Sequence, residues 1–283
     1  MIYTVKNEKI TLKIDSFGAE LKSVKYENTQ YLHEGDERYW KRSSPVLFPI
    51  VGKLKDNTYF YDNSTYNLSQ HGFARDNEFN LESKTDNSIS FVLIHNNETL
   101  KFYPFKFRFK ITYILNENNF EIIYKISSSQ DIYFSFGAHP AFKLHASLEN
   151  SFIEFEKKEQ ADLYCLDKNT GCIKGKKENF LDSSILKLNQ DSFKNDALIF
   201  KELNSKKVSL KNNENNKQIN VQFKNFKNLG LWAPTGADFI CIEPWCGIAD
   251  DISSTQEFKK KKDIEFLQKN EKFQSSIQIS FQN

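Results

Sequence analysis

The stretch "FKFRFKITYILNENNFEIIYKI" (residues 105–126) holds two rows of alternating apolar residues around four polar ones. Phe105, Phe107, Phe109, Ile111, Tyr113 and Leu115 form the first row, and Phe120, Ile122, Tyr124 and Ile126 the second. A period of two puts each row on one face of an extended chain. Between them, Asn116-Glu117-Asn118-Asn119 reads as a turn, because asparagine tolerates left-handed φ and caps its own backbone. The pair is an antiparallel hairpin with one buried face.

The same alternation spreads outward in both directions. Ile10, Leu12 and Ile14 show it, as do Ile89, Phe91 and Leu93, then Val208 with Leu210, Ile219 with Val221 and Phe223, and Ile277 with Ile279 and Phe281. Polar connectors such as His95-Asn96-Asn97 and Asn212-Asn213-Glu214-Asn215-Asn216 separate the rows. Helical periodicity is nearly absent; Asp182 to Phe193 is the segment expected to hold a turn or two of helix. The 26 phenylalanines fill the space between facing sheets. The expected fold is all-β, a large and mostly antiparallel sandwich with few short helices. No glycine- or serine-rich linker divides residues 1–283, so one domain is expected.

Composition narrows the function classes. A net charge of +2 gives no electrostatic reason to expect nucleic acid or membrane partners. The opening "MIYTVKNEKITLKI" lacks a signal-peptide apolar core, and no stretch approaches the roughly 20 apolar residues of a membrane span. A soluble, cytoplasmic chain is expected. Cys165 and Cys172 are separated by six residues and Cys241 and Cys246 by four, neither of which is zinc or redox spacing. Cys241 reads as a small core residue. No metal or other cofactor is expected.

Polar residues set in apolar or tightly turned sequence are the candidates for chemistry. In "FICIEPWCGIADD" (239–251) an apolar strand ends on Glu243, followed by Pro244 and Trp245. A carboxylate beside an aromatic face suits a sugar, whose C–H face stacks while its hydroxyls need acceptors. Burial also moves a carboxyl toward neutrality, which suits a general base; the alternative is a salt-bridged structural glutamate. In "YFSFGAHPAF" (133–142) small residues lead to His139, which Pro140 biases toward extended backbone. A core histidine bonded to backbone fits that stretch equally well. In "SQHGFAR" (69–75) His71 precedes Gly72, and Arg75 is one of few arginines in a lysine-rich chain. An ordinary strand-end turn is the competing reading. Asp196 in "NDALIF" (195–200) stands at the entrance of an apolar strand.

Taken together, "LFPIVGKL" (47–54), "QHGFAR" (70–75), "SFGAHPAF" (135–142), "NDALIF" (195–200) and "CIEPWCG" (241–247) resemble the aldose 1-epimerase family. The nearest branch is the LacX-like subgroup, with hexose-6-phosphate mutarotases as more distant cousins. "SFGAEL" (16–21) and "YLHEGDERYW" (31–40) extend the resemblance over nearly the whole chain. It implies a galactose-mutarotase-like β-supersandwich and interconversion of the α and β anomers of an aldose by acid–base ring opening. By resemblance Glu243 matches the catalytic base, His139 the acid, His71 the second site histidine and Asp196 the aspartate that holds sugar hydroxyls. Lys53 departs from the pattern, standing where the family commonly has an arginine reaching toward the sugar. Arg75 is then the residue to compensate, to meet a phosphate, or to hold its own turn through a salt bridge.

Three rivals stay open. One is a sugar-binding protein without catalysis, keeping Trp245, Asp196 and Arg75. Another is a metalloenzyme using His71, His139 and Glu243 as two histidines and a carboxylate. The third is a glycosidase with Asp196 and Glu243 as paired carboxylates. The expected partner is a small-molecule sugar. A free aldose is favoured over a phosphorylated one, because nothing else near Arg75 in sequence gathers positive charge.

Overall fold

A computed structural model describes residues 1–282. The hairpin read at 105–126 is present as strands Arg108–Leu115 and Asn119–Ser127, with Ile111 opposite Tyr124 and Tyr113 opposite Ile122. Its alternation is met in burial, since Phe109, Ile111, Tyr113 and Leu115 are all inside. Phe105 and Phe107 are buried as well, in the extended segment that leads into the first strand.

These two strands belong to a 15-stranded sheet in which every pairing is antiparallel. The sheet runs from Val46–Leu47 through Phe136–Ala138, Phe239–Cys246 and Asn228–Trp232, and ends at Asn80–Lys84. A separate four-stranded sheet holds residues 2–30. Phenylalanines fill the core between layers: Phe48 alone meets Phe73, Phe107, Phe109 and Phe134 in ring contacts at 5.0–6.3 Å. Edge-to-face and tilted pairs of this kind add to the stabilisation from burial itself. The all-β expectation is met.

Two local readings differ. Asp182 to Phe193 is not helical: Ile173–Lys187 is one long strand paired with Ser151–Leu166, and turns follow it. Much of this hairpin projects into solvent, so it lacks the one-sided apolar row that marks a strand in sequence. Its tip (167–172) overhangs the cavity that Glu243 and His139 line. Conversely, the Asn96 connector starts a short helix, Asn97–Phe102. The Asn96 side chain accepts from the Glu98 and Thr99 amides, and the Thr99 hydroxyl accepts from the Asn96 amide, a reciprocal cap.

Candidate active site

The strand Phe239–Cys246 is buried at every position. Alternation places Cys241, Glu243 and Trp245 on one face, and the flanking strands put Gly230 opposite Glu243 and Gly137 opposite Trp245. Around that face lies a cavity of about 570 Å³, a size typical of small-molecule sites. Glu243, His139, His71, Asp196, Arg75, Lys53 and Trp245 all line it. The fold therefore brings every candidate residue to one place.

Glu243 is 1% exposed, and its Oε2 atom is closed to solvent without a hydrogen bond. Burial, reinforced by the charge of Asp196, holds its carboxyl well above the usual range. Other buried carboxylates contrast with it. Glu20 accepts from the Ser43 and Ser44 amides, Glu159 from those of Asn204 and Ser205, and Asp250 pairs with Lys261. Those three are structural and satisfied. Glu243 instead has His139 beside it, whose Nε2 lies 3.1 Å from Oε2, close but poorly aligned for a hydrogen bond.

His139 follows the short strand Phe136–Ala138 and is clamped by aromatic rings. Trp40 stacks on it at 4.8 Å, and Trp232 meets it edge-on at 6.0 Å. Burial, with the positive charge of Arg75 adding to it, pushes its imidazole down to about 3. Burial thus disfavours charge on both groups of the pair, raising the carboxyl and lowering the imidazole.

His71 is fixed by backbone. Its φ of 68° is left-handed, and its amide donates to Gly52 O at 2.9 Å while Gly52 N donates to its Nδ1 at 3.1 Å. That places the ring proton on Nε2, 3.3 Å from the Gln70 amide nitrogen, itself a donor, so the two do not bond each other in this tautomer. Gly72 is required here, since a Cβ would lie 2.3 Å from Phe48 O. Burial lowers the His71 imidazole well below its usual range, and His139 and Arg75 push the same way. His71 is a fixed hydrogen-bond donor.

Asp196 has a φ of 80°, and its Oδ1 accepts from the Ala197 amide at 2.7 Å. Arg75 donates from Nη2 to Gln70 O at 2.7 Å, and shares Asp76 with Arg42, at 3.7 and 2.7 Å. Arg75 thus braces its own turn through Gln70 O and lies near the Asp76 carboxylate, with a second arginine beside it. The Lys53 stem lies across Gly171, where a Cβ would meet its Cδ at 2.8 Å.

Trp245 lines the wall with only 4% exposure, packed with Leu47, Val51, Ile199 and Ile248. The open aromatic surfaces belong instead to Trp40 and Trp232, which the sequence reading did not select. All three tryptophans of the chain line this cavity, a signal available in the sequence. Arg42, Gln70 and Lys168 were also unselected and line it too. The metalloenzyme triad does not form. Among the described residues, the donor atoms lying within 4.8 Å of one another are those of His139, Cys241 and Glu243, without His71.

The structure is thus a large antiparallel β fold whose cavity is lined by a buried carboxyl and a buried imidazole. The sequence profile of the aldose 1-epimerase family matches residues 1–280, and the chain belongs to that family. It is 29% identical over 280 residues to the plasmid-encoded protein LacX of Lactococcus lactis, covering 93% of this chain and 94% of that one. A galactose mutarotase related enzyme from Lactobacillus acidophilus superposes with a TM-score of 0.94 at 33% identity, covering 100% of this chain and 98% of that chain. A galactose mutarotase-like protein from Lactobacillus casei does so at 0.93 and 27%, covering 100% of both. The expected fold family is therefore met.

Proposed function

We propose that the protein is an aldose 1-epimerase, interconverting the α and β anomers of an aldose through the open-chain form. The supporting observation is the pairing of Glu243, a buried carboxyl without a satisfying partner, with His139 at 3.1 Å. Removing a proton from the sugar C1 hydroxyl and delivering one to the ring oxygen needs such a base and acid on one substrate. The forward step uses Glu243 as carboxylate and His139 as imidazolium, opposite charges that their 3.1 Å separation lets offset one another. The carboxylate of Glu243 takes the hydroxyl proton, the C1–ring-oxygen bond breaks as the C1 carbonyl forms, and His139 protonates the departing oxygen. Rotation about C1–C2 and the reverse steps give the other anomer. His71 donates from Nε2 near the ring oxygen, Asp196 accepts from hydroxyls, and Trp40 and Trp232 offer apolar faces.

A second reading, in which the aldose is phosphorylated, is favoured by charge. Lys53 and Lys168 line the cavity, and among the described residues neither has a carboxylate within 4 Å. Anomer-exchange NMR over a panel of free and phosphorylated aldoses tests both readings. Binding without exchange, for every sugar, would leave a carbohydrate-binding protein of the same fold.

A further inference from the structure

We infer that Trp245 is a positioning residue for Glu243: its indole N–H is held against the base by a platform of two glycines, and donates to the carboxylate when Glu243 ionises. This rests on the epimerase reading for its consequence in catalysis, but its geometry is independent of substrate.

Three observations carry it. First, Gly137 and Gly230, on the strands flanking Phe239–Cys246, lie directly under the indole. A Cβ on Gly137 would sit 2.5 Å from Cδ1 of Trp245, and one on Gly230 would sit 2.6 Å from Cζ2. Those carbons bracket Nε1, so the nitrogen edge of the ring rests on the sheet between the two glycines. Gly230 is the cross-strand neighbour of Glu243, and Gly137 that of Trp245. The N–H therefore lies along the short span that separates Trp245 from Glu243 on one face of the strand. Neither glycine tolerates a side chain there without displacing the ring.

Second, Trp245 Nε1 is closed to solvent and has no hydrogen bond, and the same is true of Glu243 Oε2. A buried N–H left unpaired costs about 1–3 kcal/mol, and the unpaired acceptor on the same face of the strand is the Glu243 carboxyl. Third, burial and Asp196 push the Glu243 carboxyl up, and a donor facing the ionised carboxylate opposes that push. The other titratable groups facing the carboxyl are His139, Cys241 and Asp196. Of these, Asp196 works against ionisation. Trp245 thus supplies a fixed dipole that favours the ionised base without an added charge.

The test replaces Trp245 with β-(benzothiophen-3-yl)alanine, which keeps the shape of the indole but exchanges N–H for sulfur, alongside Trp245→Phe. Carbon-13 NMR follows the side-chain carboxyl of Glu243, assigned by its loss in Glu243→Gln. Losing a donor to the ionised form should raise the Glu243 midpoint by about one pH unit, a tenfold change in its ionisation constant. In anomer exchange the acidic limb should rise by the same amount while KM stays within about twofold, since the sugar does not touch Nε1. An unmoved carboxyl midpoint in the benzothienyl variant overturns the inference, whether or not the protein proves active. A moved midpoint in a protein that exchanges no aldose would overturn the epimerase reading and leave the positioning role standing.

Discussion

His139 Nε2 and Glu243 Oε2 lie 3.1 Å apart although their side chains come from different segments, one following Phe136–Ala138 and the other within Phe239–Cys246. The two strands pair directly, Phe136 opposite Cys246 and Gly137 opposite Trp245. Glu243 is therefore held within a strand, and His139 one residue beyond the strand that pairs with it. Glu243→Gln preserves that geometry but cannot accept the C1 proton, so exchange should fall at least about 10²-fold with sugar binding retained. His139→Asn can bond the ring oxygen without protonating it, and should lose one limb of the pH profile. Anomer-exchange NMR from pH 5 to 9 checks both. Activity within a few-fold of the parent in Glu243→Gln would return Glu243 to a structural role.

Stability should move opposite to activity. Burial raises the Glu243 carboxyl above its ordinary 4.5, so the folded state holds that proton more tightly than the unfolded chain does. The resulting stabilisation is complete below pH 4.5 and is lost as pH rises toward the folded value. Glu243→Gln lacks this loss. Its margin over the parent should grow with pH by up to about 1.4 kcal/mol per unit until the folded carboxyl ionises. His139 runs the other way. Held down at about 3 against an ordinary 6.5, it leaves both proteins less stable as pH falls through that window. Thermal unfolding of parent and variant at pH 5 and pH 8 measures the difference; an equal gap at both would contradict the assignment.

The strands were legible wherever one face is buried, as in Phe109 to Leu115, because burial imposes the period of two. Ile173–Lys187 was not legible, since solvent on both sides removes the constraint. The candidate site residues announced themselves by incongruity: a carboxylate ending an apolar strand, a histidine before proline, a histidine before glycine. Arg42 and Lys168 carried no such mark. Each is an ordinary surface residue by its neighbours in sequence, and only the folding of the 167–172 tip and the 39–42 segment over the cavity gives them a role. The free-aldose expectation considered only residues near Arg75 in sequence, whereas Lys168 and Arg42 reach the cavity from separate segments. Trp245 was legible as a site residue, but its packing over Gly137 and Gly230 depends on strand register, which local sequence does not specify.

One buried ion pair supports the cavity floor. Lys261 is 2% exposed and donates to Ile248 O at 2.7 Å and Asp250 Oδ1 at 2.8 Å. Asp250 in turn accepts from the Lys55 amide through Oδ2, and its own amide donates to Lys53 O at 2.8 Å. Lys261→Met strands a buried carboxylate, which should cost about 3–5 kcal/mol. Adding Asp250→Asn should restore part of that loss. Denaturant unfolding of the single and double variants checks it; additive losses would mean that the pair is not coupled.

Under the proposed function, Lys53 and Lys168 are the residues expected to choose between free and phosphorylated aldoses. The family's usual arginine gives a planar fork for hydroxyls, whereas lysine is a compact, strongly hydrated charge. Lys53 is half-buried, and no carboxylate among the described residues neutralises it or Lys168 within 4 Å. On the other wall, Arg42 and Arg75 share the single carboxylate of Asp76, and burial with the neighbouring Arg42 charge lowers the Arg75 guanidinium to about 10. Such a cavity favours an anion. A charge-assisted bond to phosphate is about twice as strong as a neutral one, so glucose 6-phosphate should bind at least about tenfold tighter than glucose at low salt. That advantage should shrink as salt shortens the Debye length from about 10 Å at 0.1 M to about 3 Å at 1 M. Lys53→Ala and Lys168→Ala should each weaken the phosphorylated ligand several-fold more than the free one. Arg75→Ala should weaken both, because Arg75 also fixes the Gln70 carbonyl beside His71. Calorimetry at two salt concentrations separates the cases. Equal losses for both sugars in the lysine variants would identify a free aldose as the substrate.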